Sequence, residues 1–237
     1  MIAANLQTIH ARLTGACVRA GREPQSVSLL AVSKTFGADA VLQAHACGQV
    51  AFGENYIQEA VDKITALAHL PLQWHCIGPV QSNKTRLVAR HFDWVHTIDR
   101  LKIAQRLSEQ RPADLAPLQV CIQVNVDGGP TKSGVAPADA LALARDVASL
   151  PRLVVRGIMC IPEPAPDFVA ACSVFARARS LFDQMNASAM GLDTLSMGMS
   201  DDLEAAIASG STMVRVGSAI FGARNYAASQ PAIVAGV

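Results

Sequence analysis

The sequence has little charge and little aromatic area: 16% of its 237 residues are charged and 5% aromatic, with two tryptophans and two tyrosines. Basic and acidic residues nearly cancel, 20 against 19, so no field of one sign gathers nucleic acid or an anionic membrane. Any anion must be held by a local site. No apolar run approaches the roughly 20 residues that span a bilayer. The six cysteines (Cys17, Cys47, Cys76, Cys121, Cys160 and Cys172) stand singly, without a CxxC or CxH grouping. That excludes an obvious zinc site or disulfide framework and reads as six buried thiols. His75, His91 and His96 also stand apart, and no metal is expected. The first 13 residues lack a basic n-region, so a cytoplasmic address is the expectation.

Hydrophobic residues make up 51% of the chain, which is enough for a large buried core and rules out disorder over most of the length. Ile2, Leu6, Ile9, Leu13 and Ala16 recur at three and four residues, predicting an amphipathic helix that stops at Gly21. Short apolar runs then alternate with helical spacing. The strands are read at 28–33, 49–52, 73–77, 94–97, 119–124, 153–160, 194–196 and 213–216. Helices are read at 38–47, 56–68, 84–90, 100–110, 137–149, 167–185 and 202–209, with a short one at the end. This is the rhythm and size of an α/β protein folded as a (β/α)8 TIM barrel, with a doubly wound open sheet as the alternative. One domain over residues 1–237 is expected, since neither a polar linker nor a low-complexity segment interrupts the pattern.

In such a barrel the site lies at the C-terminal ends of the strands. Lysine is scarce here, five against fifteen arginines, yet Lys34, Lys84 and Lys132 all fall in strand-end loops while Lys63 and Lys102 fall on helices. Lys34, in Ser33-Lys34-Thr35, follows the first apolar run directly. A partly desolvated amine there is a candidate for attack on a carbonyl; a plain strand-end lysine reaching water is the other reading. After the seventh strand, Gly198 allows close backbone approach and Ser200 stands where a helix begins; Gly217 and Ser218 form a second small-residue turn after the eighth. Loops after strands 7 and 8 are where such barrels hold a phosphate, although Ser200 could serve as a helix cap and Asp201 and Asp202 would repel the anion unless they point away. Arg215 lies in an otherwise apolar strand, where a guanidinium needs a ligand or an ion pair.

Several ordered motifs carry a resemblance: Leu29-Leu30-Ala31-Val32-Ser33-Lys34-Thr35, Phe52-Gly53-Glu54-Asn55-Tyr56, Trp74-His75-Cys76-Ile77-Gly78-Pro79, Ser196-Met197-Gly198-Met199-Ser200-Asp201-Asp202 and Val214-Arg215-Val216-Gly217-Ser218. The chain resembles the pyridoxal phosphate homeostasis protein family, single-domain relatives of the alanine racemase N-terminal barrel. The resemblance implies that Lys34 forms a Schiff base with pyridoxal 5'-phosphate and that Arg215 faces the pyridine nitrogen. It also implies that Ser200, Gly217 and Ser218 hold the phosphate, and that Asn55 and His75 line the pocket near the ring. Two departures are visible: Cys76 stands where the family often has an aromatic residue, and Phe36-Gly37 where a basic residue and proline are common. The implied function is a non-catalytic carrier of the cofactor in vitamin B6 homeostasis, working as a monomer and supplying apoenzymes that require it. A weak amino-acid racemase is the alternative, for which only Tyr56 and Tyr226 are available as a second acid or base of the tyrosine type. A barrel that binds another phosphorylated metabolite is a third reading.

Overall fold

A computed structural model describes residues 1–129 and 133–222. Helix α1 (Ile2–Arg19) and a 3-10 turn (Pro24–Ser26) precede an unbroken alternation. It runs β1 (Ser28–Val32), α2 (Ala38–His45), β2 (Ala51–Glu54), α3 (Ile57–Ala66), β3 (Gln73–Cys76), α4 (Thr85–His91), β4 (Trp94–Ile98) and α5 (Leu101–Gln110). The second half is β5 (Leu118–Gln123), α6 (Pro137–Ala148), β6 (Leu153–Met159), α7 (Phe168–Ala187), β7 (Thr194–Ser196), α8 (Leu203–Ala208), β8 (Met213–Val216) and α9 (Ser218–Phe221). The strands form a closed barrel in sequence order, and β1 pairs in parallel with both β2 and β8. That last pairing excludes the open sheet.

The expected elements are found to within a few residues, and the largest shift is instructive. The second strand was expected at 49–52 but runs Ala51–Glu54. The Gln49 amide leaves the ladder to donate to the Leu29 and Ala51 carbonyls, while Glu54, polar by type, is completely buried at the strand's end. An apolar-run criterion reads both residues the wrong way. Helix α1 lies against α2, α8 and α9 and closes the outer ring where the last unit offers only the short α9. Asn5 Nδ2 ties it there by donating to the Ile220 carbonyl at 2.9 Å.

The main core lies between the strands and the helices, where Leu29, Ala31, Phe52, Val95, Ile122, Ile158, Leu195 and Val214 meet the helix faces. Inside the barrel Trp94, Cys121 and Met159 form a separate apolar cluster, and Leu30 is fully buried opposite Arg215. The neighbouring buried positions carry His75, His96, Ser196 and Arg215. Barrels of this class are usually filled by Val, Ile and Leu; here polar groups occupy that space. No helix among the described residues is long and apolar enough to cross a membrane. Of the six cysteines, which are free thiols, four are buried; Cys47 is exposed and Cys172 half-buried, so the expectation of six buried thiols is corrected at those two. Cys47 falls just past α2 on the outer ring, a position that periodicity cannot distinguish from the helix's inner face.

Gly157 of β6 sits opposite Thr194 of β7 in the ladder, and a Cβ added there would land on the Thr194 carbonyl. Gly157→Ala must therefore force two hydrogen-bonded strands apart. The expected cost is about 3 kcal/mol or more in urea unfolding.

Candidate functional site

A cavity of about 230 Å³ opens at the C-terminal mouth of the barrel, with Lys34, Asn55, Ser200, Arg215, Gly217 and Ser218 among its lining residues. Each comes from the end of a different unit or the loop behind it: Lys34 after β1, Asn55 after β2, Ser200 between β7 and α8, Arg215 on β8, and the Gly217-Ser218 turn opening α9. Val32, Phe36, Ile77, Ile161 and Met199 supply apolar wall. Asp201 also lines the cavity, whereas Asp202 turns into its own loop and accepts the Met199 N–H at 2.6 Å. His75 departs from expectation. It is not a lining residue but lies fully buried inside the barrel, because β3 turns it inward one ladder step before Ile77, the strand's residue on the cavity. Lys84 caps the start of α4, away from the lining, and Lys132 falls outside the described residues.

Arg215 is the buried cation of the site, 4% exposed, and forms no ion pair among the described residues. Its Nη1 donates to Ser196 Oγ at 2.7 Å and its Nη2 to the Cys160 carbonyl at 2.9 Å. A guanidinium carries five N–H donors, so these bonds do not exhaust it. Burial opposes its charge, and Asp202 supports it only through the field. Across the cavity, the Asn55 side-chain oxygen is buried without a hydrogen-bond partner. It is held in place from behind: a Cβ at Gly78 would collide with the Asn55 backbone, so only glycine lets the two loops approach so closely.

Lys34 stands on a backbone gripped from both sides. Before it, Ser33 Oγ donates to Glu54 Oε1 and the Ser33 carbonyl accepts from Lys63 Nζ. After it, the Thr35 N–H donates to Glu59 Oε1 at 2.9 Å. Lys63 joins the two grips through Glu54 at 2.6 Å and Glu59 at 3.4 Å. Thr35 itself has φ 68°, a left-handed conformation that a β-branched residue adopts only under constraint and at a cost of about 1–3 kcal/mol. Burial pushes the Glu54 carboxyl up, while the Lys63 ammonium and the Ser33 hydroxyl pull it back. Lys63 and Glu54 were missed by sequence reasoning, which placed Lys63 on a helix and gave it no function. The spacing of Glu59 and Lys63, four apart on α3, was the visible clue.

The Ser200 loop has its own supports. Gly198 has φ 95° and abuts Ala206, which permits the tight return from β7 into α8. Arg12 of α1 reaches across to the Ser200 carbonyl while paired with Glu204 at 2.9 Å. The remote helix α1 thus helps to shape the anion-type turn.

An amine, a buried guanidinium and small-residue turns after strands 7 and 8 define the class: a (β/α)8 barrel whose mouth suits a phosphorylated carbonyl compound. The chain belongs to the family described by the alanine racemase N-terminal domain, matched over residues 2–225. It is 60% identical to the pyridoxal phosphate homeostasis protein of Pseudomonas aeruginosa over 96% of this chain and 97% of that one. It is 53% identical to the protein of that name from Escherichia coli K12, over 95% and 97%. Among solved structures, PipY of Synechococcus elongatus, determined with pyridoxal phosphate bound, superposes with a TM-score of 0.81 at 37% identity, covering 94% of this chain and all of that one. Alanine racemase of Corynebacterium glutamicum shares the fold with a TM-score of 0.66 at 18% identity, over 97% of this chain and 62% of that one.

Two expectations follow from the site's electrostatics. Lys63→Met leaves the Glu54 carboxylate buried without its cation and should cost about 3 kcal/mol of stability, whereas Lys63→Met combined with Glu54→Gln should recover at least half, in urea unfolding of the variants. Burial holds His75 at a pKa of about 3, against 6.5 for a free imidazole. Between these values the unfolded chain binds a proton that the folded His75 refuses, so this group makes stability fall as pH drops below 6.5 and has no effect above it. His75→Asn should therefore make the acid loss of stability shallower by about 1.4 kcal/mol per pH unit between about pH 6 and 4.5.

Proposed function

We propose that the chain binds pyridoxal 5'-phosphate reversibly through Lys34 and serves cofactor homeostasis as a non-catalytic carrier. The observation that carries this reading is the convergence in one cavity of a strand-end lysine, a buried arginine with donors to spare, and two small-residue turns. The cavity fits the group. The Asn55 oxygen, without a partner among the described residues, and the unexhausted Arg215 both call for polar partners in the pocket. The names of the curated relatives and the bound PipY structure support the same ligand.

When bound, pyridoxal 5'-phosphate supplies an aldehyde that captures amines reversibly. Lys34 provides the amine, on a backbone fixed at Ser33 and Thr35. Ser200 and Ser218 offer hydroxyls, and the Gly217-Ser218 turn offers N–H groups, to the phosphate. Arg215 would donate to the pyridine nitrogen and, having no acceptor, would leave that nitrogen unprotonated. A ring so held withdraws electrons weakly and gives little help to carbanion chemistry.

Retention without turnover suits the rest of the lining. No histidine or tyrosine is among the described residues that line the cavity; Tyr56 is 55% exposed outside it, and Tyr226 falls outside the described residues. Proton transfer on both faces of a substrate carbon needs a second positioned acid or base. We place the carrier in the cytoplasm as a monomer that hands its cofactor to apoenzymes.

Borohydride reduction of the loaded protein followed by peptide mass mapping should put the pyridoxyl group on Lys34. Lys34→Ala should lose the covalent visible chromophore while melting within a few degrees of the parent. Arg215→Ala should weaken retention at least about tenfold. A colourless protein that stays unlabelled after incubation with pyridoxal 5'-phosphate would overturn the reading, and rapid Lys34-dependent loss of α-deuterium from amino acids would replace the carrier with an enzyme.

A further inference from the structure

Behind Arg215 a single file of hydrogen bonds crosses the barrel interior. Ser196 Oγ, which accepts from Arg215, lies 3.1 Å from His96 Nδ1. His96 Nε2 lies 2.9 Å from His75 Nδ1, and His75 Nε2 lies 3.0 Å from Gln73 Oε1 at the start of β3. Gln73 is exposed at the opposite end of the barrel, so the file runs from the cavity to the far mouth.

The chemistry of its two ends sets the direction of every proton in it. Arg215 can only donate, so Ser196 Oγ is an acceptor there and spends its own proton on His96 Nδ1. A neutral His96 then carries its hydrogen on Nε2 and donates it to His75 Nδ1. His75 carries its hydrogen on Nε2 in turn and donates to the Gln73 carbonyl oxygen, a group that can only accept. Reversal of the file would leave the Ser196 proton without a partner and would require the Gln73 amide to turn round. The rings are held for this by packing: Trp94 stacks on His75 at 5.1 Å and lies against His96 at 5.9 Å. Burial keeps both imidazoles neutral, and Arg215 adds to that effect on His96. The thiols nearest the guanidinium, Cys121 and Cys160, are pushed up to about 12 and carry no charge.

We propose that Ser196, His96 and His75 are positioning residues for Arg215: a one-way hydrogen-bonded file, with both histidines in the Nε2–H form, presents its acceptor ends to the guanidinium and so holds it charged and aimed at the cavity in place of a carboxylate. Bonds aligned in this way polarise one another and strengthen towards the charge. A carboxylate in the same place would neutralise the arginine; the file steadies it and leaves its charge to the ligand. The inference rests on the reading of the cavity as a pyridoxal 5'-phosphate site, and it gives a reason for the polar filling of this barrel.

The test uses the full chain with and without pyridoxal 5'-phosphate. Long-range nitrogen–proton correlation spectra of the unsubstituted protein read the tautomers directly and should show His75 and His96 both as Nε2–H. Ser196→Ala should release His96 into mixed tautomers and raise the cofactor's dissociation constant about tenfold, and Ser196→Thr, which keeps the hydroxyl, should restore both. A general loss of packing would not be rescued by threonine, nor would it fix a tautomer. An Nδ1–H form at either histidine, or a Ser196→Ala variant with unchanged tautomers or unchanged affinity, would overturn the proposal. Should the unsubstituted protein take up no pyridoxal 5'-phosphate at Lys34, the functional reading fails, and the tautomer spectra still judge the file on their own.

Discussion

A guanidinium buried inside the barrel without a carboxylate is the constraint to which the rest of this structure answers. At low dielectric such a charge is costly unless dipoles surround it. Arg215 has the Cys160 carbonyl on one side and the Ser196 hydroxyl on the other. Satisfying Ser196 draws in His96, and satisfying His96 draws in His75, until the file ends on an exposed amide. One cation on β8 thus accounts for a connected set of polar groups inside the barrel, beside the apolar cluster of Trp94, Cys121 and Met159. Because its direct partners are dipoles, with Asp202 acting only through the field, the arginine keeps its net charge for whatever enters the mouth.

The amine beyond the end of the neighbouring strand, β1, is prepared by the reverse arrangement. Here charged groups hold the backbone on either side of Lys34, at Ser33 and Thr35. A buried lysine on α3 and two glutamates hold Ser33 and Thr35 and keep Thr35 in a left-handed conformation that a free chain would leave. Ion pairs of this kind add little net stability, since desolvation takes back what attraction gives. Their value here is geometric, because a lysine with four rotatable bonds can be aimed only if its Cα is fixed. The charged cluster therefore sits outside the barrel wall, where it can hold the backbone without competing for the cavity.

The fold was legible because it rests on local signals. Strands β7 and β8 fall where the apolar runs end, and each helix shows its three-and-four spacing within its own segment. Lys34, Ser200, Arg215, Gly217 and Ser218 were legible for a related reason: in a barrel, position just after a strand is position at the mouth. What the sequence concealed is contact between segments far apart. Ser196 and His96 are 100 residues apart and Arg12 and Ser200 are 188 apart, and no periodicity joins them. His75 was placed near the cavity because its motif is, yet a shift of one alternating step along a strand decides whether a side chain reaches the mouth or the interior. Lys63 read only as a helix residue, and its burial became visible only with Glu54 beside it.

The two halves of the site differ in what they permit. Under the proposed reading Lys34 would exchange a covalent bond, from a backbone gripped at Ser33 and Thr35. Arg215, under the same reading, would hold the ring nitrogen without serving it as an acid and base, because a guanidinium offers donors and no acceptor. A cavity with those two contacts would be matched to capture and release. To become a strong catalyst of carbanion chemistry, this barrel would need a carboxylate in place of Arg215. That change would reverse the direction of the whole interior file, since Ser196 would then have to donate where it now accepts. On the proposed reading, the ring contact of Arg215 and the polar interior behind it are one feature, and altering either would require rebuilding the other.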